Sequence, residues 1–80
     1  MLTLYVKTGC PFCAKVIRTV DALNLTVTYK NRNSEGVVDD LVSRGGKSQY
    51  PYLVDAERGV EMYESDDIVD YLREHYGETV

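Results

Sequence analysis

Leu2-Thr3-Leu4-Tyr5-Val6-Lys7-Thr8-Gly9-Cys10-Pro11-Phe12-Cys13 is the stretch on which the fold turns. Leu2, Leu4 and Val6 alternate with Thr3, Tyr5 and Lys7, the period-two pattern of a strand with one more apolar face. Thr8-Gly9 breaks that pattern. From Pro11 onward Ala14, Val16, Ile17, Val20 and Leu23 recur at helical spacing, and proline suits a first helical turn because its missing N–H would have no partner there. The chain therefore passes from a strand straight into a helix, with Cys10 at the helix N-terminus.

Working outward, Leu25-Thr26-Val27-Thr28-Tyr29 is β-branched and alternating and predicts a second strand. Asn31 to Ser34 reads as a loop ending in an N-cap. Val37, Val38, Leu41 and Val42 give the next helix one apolar side, and Gly45-Gly46 stop it. Tyr52-Leu53-Val54 and Val60-Glu61-Met62-Tyr63 flank the turn Asp55-Ala56-Glu57-Arg58-Gly59 as a hairpin. Ser65 reads as the cap of a last helix built on Ile68, Val69, Leu72 and Tyr76, with Asp66 and Asp67 at its positive end and Gly77 closing it. The order β-α-β-α-β-β-α predicts an α/β fold: a four-stranded mixed sheet flanked by three helices on its two faces, in one domain over residues 1–80.

Composition excludes several classes. With 44% hydrophobic and 28% charged residues the chain has ordinary globular proportions, which excludes disorder. A net charge of -4 argues against nucleic-acid binding, which needs a basic stripe to displace counterions from phosphate. No apolar run approaches the ~20 residues of a membrane span. Met1 to Lys7 lacks a basic flank, a long apolar stretch and a cleavage site, so the expectation is a cytoplasmic monomer without a signal peptide.

The 2 cysteines stand three positions apart, on one helix face, within reach of a disulfide after a modest adjustment of the first turn. Positive potential at the helix start favours the thiolate of Cys10, while Cys13, one turn inside, should stay protonated and less exposed. Cys10 then attacks and Cys13 resolves. A stabilised thiolate is above all easy to displace from a mixed disulfide, which favours rapid exchange over tight oxidation. Zinc wants four ligands, whereas the chain offers 2 Cys and 1 His, so no metal is expected, with a cluster shared between two chains as the remaining metal reading.

On Lys7-Thr8-Gly9-Cys10-Pro11-Phe12-Cys13 the chain resembles the glutaredoxins of the dithiol CPxC type, and more loosely the N-terminal domain of glutathione transferases, both on the thioredoxin-like fold. The resemblance runs end to end. Gln49-Tyr50-Pro51 matches the cis-proline segment that faces the CxxC in that superfamily, and Tyr63-Glu64-Ser65-Asp66-Asp67 matches where those families hold the γ-glutamyl end of glutathione. The resemblance implies catalytic Cys10 and Cys13, and a glutathione site made by Lys7, Phe12, Tyr50, Pro51, Ser65 and Asp66. It also implies glutathione as reducing co-substrate and glutathionylated or disulfide-bearing proteins as partners.

The chain departs from the glutaredoxin pattern at several positions. Phe12 stands where many glutaredoxins have Tyr, and Tyr50 replaces a small β-branched residue. No Gly-Gly precedes Ser65; Glu64-Ser65 is instead similar to the transferase pattern. Ser48 occupies the usual basic position before the proline, leaving Lys7, Lys47 and Gln49 as candidates for the glycine carboxylate of glutathione.

The leading expectation is a glutathione-dependent thiol-disulfide oxidoreductase acting on protein disulfides and protein–glutathione mixed disulfides. Two alternatives stand beside it: a glutathione-binding or iron-sulfur-carrying module with little turnover, and a redoxin reduced by a thioredoxin reductase. A complete transferase is disfavoured by the length, since those enzymes place the electrophile pocket largely on an additional helical domain.

Overall fold

The computed structural model describes residues 2–77. Its elements follow the order expected: β1 Leu2–Val6, α1 Pro11–Ala22, β2 Val27–Asn31, α2 Val37–Gly45, β3 Tyr52–Asp55, β4 Val60–Met62 and α3 Ser65–Tyr76. The sheet runs β2-β1-β3-β4, with β1 parallel to β2 and antiparallel to β3, and β3 antiparallel to β4. This is the four-stranded mixed sheet of a thioredoxin-like fold. No helix among the described residues is long and apolar enough to cross a membrane.

Register shows which helix covers which face. Leu4 opposes Leu53 and Tyr5 opposes Tyr52, and opposed residues share a side of the sheet. The Tyr5 hydroxyl donates to Asp40 of α2 at 2.5 Å, so the Tyr5–Tyr52 face lies under α2. Asp55, on the Leu53 side, accepts from Tyr71 and Tyr76 of α3, and α1 packs along α3 on that same side. Leu4, Val16, Ile68 and Leu72 are fully buried on this side, while Leu41 fills the other layer.

Three local expectations are corrected. β1 is not one-sided: it lies between β2 and β3 with helices on both faces, so Tyr5 is buried as fully as Leu4. β2 starts at Val27 rather than Leu25 and takes in Asn31. The end of α1 carries through Leu23 and the left-handed Asn24, and the Leu25 N–H is spent on the Val20 carbonyl. Ser34 does not cap α2. The Ser34 N–H is used in a turn to the Asn31 carbonyl, and the cap is Gly36, whose φ of 80° glycine tolerates best.

Candidate active site

The start of α1 is where strand pairing ends and helical bonding begins, so Cys10 is left in extended backbone at the N-cap (φ -95°, ψ 110°). Its Sγ accepts a hydrogen bond from the Cys13 N–H at 3.1 Å, doing for this helix what a serine oxygen does for others. An N–H aimed at sulfur interacts more strongly with a thiolate than with a thiol. Cys10 is 7% exposed and Cys13 2%, and both are free thiols. Burial, and then the hydrogen bond shared with Cys10, pushes the Cys13 thiol up to about 11, so it is protonated at neutral pH.

Beside the thiols lies a cleft of about 300 Å³ between the Tyr50-Pro51 segment and the start of α3, a volume within the small-ligand range. The Tyr50–Pro51 peptide bond is cis, as the resemblance implies. Phe12, 62% exposed, forms one wall, and Ser65 and Asp66 form another. Five of the sequence-predicted residues, Phe12, Tyr50, Pro51, Ser65 and Asp66, therefore meet in one place.

Ser65 is not the cap of α3 but its first residue. Glu64 stands outside the helix at φ 72° and ψ 112°, and its carbonyl accepts from the Ile68 N–H at 2.9 Å. The amides of Ser65, Asp66 and Asp67 therefore have no partner within the helix, and together with the helix dipole they present positive potential beside the cleft.

Two cleft residues lay outside the predicted set. Gln49 was expected only as a candidate for the glycine carboxylate; its amide instead donates to Glu64 at 3.0 Å, and both line the cleft. The available signal for Glu64 was the Glu64-Ser65 pair itself. Asp66 forms an ion pair with Lys15 of α1 across the α1–α3 seam. Lys47 does not line the cleft; its ammonium lies 4.9 Å from the Tyr63 ring centre.

Cys10, Cys13 and Lys7, together with Ile17 and Asn31, line a second, broader depression of about 600 Å³, which shares no lining residue with the first cleft. Lys7 is thus beside the thiols but outside the Phe12–Pro51 cleft. Among the described residues no group of three or more His, Cys, Asp or Glu side chains is placed to hold a metal ion.

The sequence matches the family described as "Glutathione S-transferase, N-terminal domain" over residues 4–79. No curated protein matches it. Among solved structures it is similar to an epsilon-class glutathione S-transferase from the housefly Musca domestica, at 27% identity and a TM-score of 0.84, covering 99% of this chain and 37% of that one. It is also similar to glutathione transferase E6 from Drosophila melanogaster, at 29% identity and TM-score 0.80, covering 99% and 36%. Glutathione S-transferase 1-6 from Anopheles dirus species B aligns at 29% identity and TM-score 0.83, covering 96% and 37%. The chain thus spans less than two-fifths of the length of these structures.

Proposed function

The chain belongs to the glutathione S-transferase N-terminal domain family, and from that premise we propose that it binds glutathione in the Phe12–Pro51 cleft and uses Cys10 to exchange disulfides. The family supports glutathione as the ligand. The thiol pair supports glutaredoxin-type chemistry in place of conjugation.

The bound tripeptide runs as a short extended segment beside Tyr50-Pro51, with its γ-glutamyl carboxylate on the free amides at the start of α3. Its ammonium faces Glu64 and Asp66, Phe12 covers it, and Lys7 adds positive charge beside the thiols. The Cys10 thiolate attacks the glutathione sulfur of a protein–glutathione disulfide; the Cys10–glutathione bond forms as the protein thiolate leaves. A second glutathione thiolate then attacks that bond, releasing oxidised glutathione and restoring Cys10. In the dithiol route Cys13 displaces the bound partner and closes a Cys10–Cys13 disulfide, which two glutathiones reopen.

The single observation that carries this reading is the Cys13 N–H aimed at the Cys10 sulfur, with the Cys13 thiol buried and protonated behind it. The test is a coupled assay with a glutathionylated peptide, glutathione, glutathione reductase and NADPH. Turnover by the wild type and none by Cys10→Ser supports the proposal. Turnover that survives in Cys10→Ser overturns it, as does a wild type that only conjugates glutathione to a halogenated aromatic.

A further inference from the structure

The two thiols line the second depression and not the glutathione cleft. Whatever approaches Cys10 with its glutathione half in the cleft therefore has its other half beside this surface. The depression is floored by the apolar parts of Val6, Pro11, Ala14 and Ile17, with Lys7 on its rim. The Arg32 main chain borders the same corner, next to the lining residue Asn31, its N–H donating to the Val6 carbonyl at 2.8 Å.

Lys7 and Arg32 are both exposed and, like Arg18, Lys47 and Arg73, take part in no ion pair among the described residues. In a chain of net charge -4, this corner combines apolar lining with two cations that no carboxylate among the described residues neutralises. The glutathione cleft is the opposite, lined by Glu64 and Asp66 with no cation. The two sides of Cys10 therefore select for different chemistry.

We propose that this depression is the docking surface for the polypeptide half of the mixed disulfide, and that it selects cysteines flanked by an apolar residue and a carboxylate. The apolar neighbour covers Ile17 and Ala14, and the carboxylate faces Lys7 and Arg32. The inference rests on the disulfide-exchange reading above and names its protein substrate class. The exchange itself is unchanged: the Cys10–glutathione bond forms, and the peptide thiolate leaves and takes a proton from solvent.

The experiment compares three glutathionylated peptides that differ only beside the cysteine: leucine before and aspartate after, leucine and lysine, or serine and aspartate. The mixed disulfide of glutathione with 2-mercaptoethanol serves as a substrate that leaves the depression uncovered. The expected wild-type kcat/KM is about fivefold higher for aspartate than for lysine, the upper range for exposed charge pairs. It is about tenfold higher for leucine than for serine, from apolar burial. Arg32→Glu brings the aspartate-to-lysine ratio to one or below while leaving turnover of the small disulfide unchanged. Ile17→Ser removes the leucine preference, and Arg32→Glu, at an exposed position, tests the idea even where Ile17→Ser fails to fold.

If the small disulfide is turned over but the peptide ratios stay near one, this inference fails and the exchange chemistry stands. If the small disulfide is not turned over, both fail. A dimer in solution that Ile17→Ser dissolves would give the face to a second copy of the chain and overturn the proposal. So would a preference for small aromatic mixed disulfides that depends on Ile17 while the peptides show none.

Discussion

The backbone N–H of Cys13 points at the sulfur of Cys10 from 3.1 Å, so the hydrogen bond that the Cys10 sulfur receives belongs to the Cys13 main chain and not to its side chain. Replacing the Cys13 side chain leaves that donor in place. Cys13→Ser should therefore keep deglutathionylation within about threefold of the wild type, whereas Cys10→Ser, lacking the nucleophile, should lose at least about a thousandfold. The coupled NADPH assay on both variants decides it, and equal losses would mean that the reaction runs through the internal disulfide.

Cys13 also sets a pH dependence. An unfolded thiol titrates near ~8.5, and burial raises this one to about 11 in the folded chain. A raised folded value means that the stabilisation is fully present below the unfolded pKa and is lost as pH climbs toward the folded one, because only the unfolded chain releases the proton in between. The loss is on the order of 3 kcal/mol. Burial also raises Tyr52 and Tyr71, which steepen the decline above about pH 10. Urea unfolding at pH 8, 9 and 10 should show stability falling with pH in the wild type and a shallower fall in Cys13→Ala. Parallel slopes would place the Cys13 thiol in a far wetter setting.

Much of this molecule could be read from the chain, and what could not has identifiable causes. The helices were legible because Pro11, Gly46 and Gly77 punctuate clear apolar periodicities. The two caps that were misassigned, Ser34 and Ser65, share one cause. A serine before an apolar run is a statistical cap signal, but the cap is whichever residue's carbonyl starts the helical ladder, and Gly36 and Glu64 do so here at positive φ. Burial of Tyr5 was invisible because a central strand covered on both faces loses its alternation. The Gln49–Glu64 contact joins residues 15 apart through tertiary structure alone, so no local pattern announces it.

That contact leads to a prediction about ligand affinity. Glu64 is held by the neutral amide of Gln49, whereas Asp66 is paired with the ammonium of Lys15. A ligand ammonium should therefore gain more from Glu64. Glu64→Gln should weaken glutathione binding by about tenfold and Asp66→Asn by about threefold, in keeping with charge-assisted against screened contacts. Isothermal titration at low and high salt measures both, and the reverse order would assign the ammonium to Asp66.

The last prediction concerns Asp55, a carboxylate with no exposed surface at the end of β3. Burial acts to raise its pKa, but hydroxyl donors from Tyr71 at 2.6 Å and Tyr76 at 2.5 Å outweigh it and hold the group below the usual carboxylate value. Those bonds tie β3 to the last two turns of α3, the helix whose first turn borders the Phe12–Pro51 cleft. With the folded pKa depressed, the stabilisation is present above the unfolded value of about 3.9 and is lost as pH falls through the folded one. Tyr71→Phe removes a buried donor to a charge and should cost about 2 kcal/mol at neutral pH. Tyr76→Phe, at a half-buried site, should cost about 1 kcal/mol, and the pair should not add, since both donors serve one oxygen. In Tyr71→Phe the folded pKa of Asp55 rises toward its unfolded value, so the acid-unfolding midpoint should move to higher pH. Circular dichroism during acid titration, alongside urea denaturation, measures both effects. A Tyr71→Phe variant within about 0.5 kcal/mol of the wild type, with the same acid midpoint, would mean that packing alone seats α3 on the sheet and that the buried carboxylate plays no part in it.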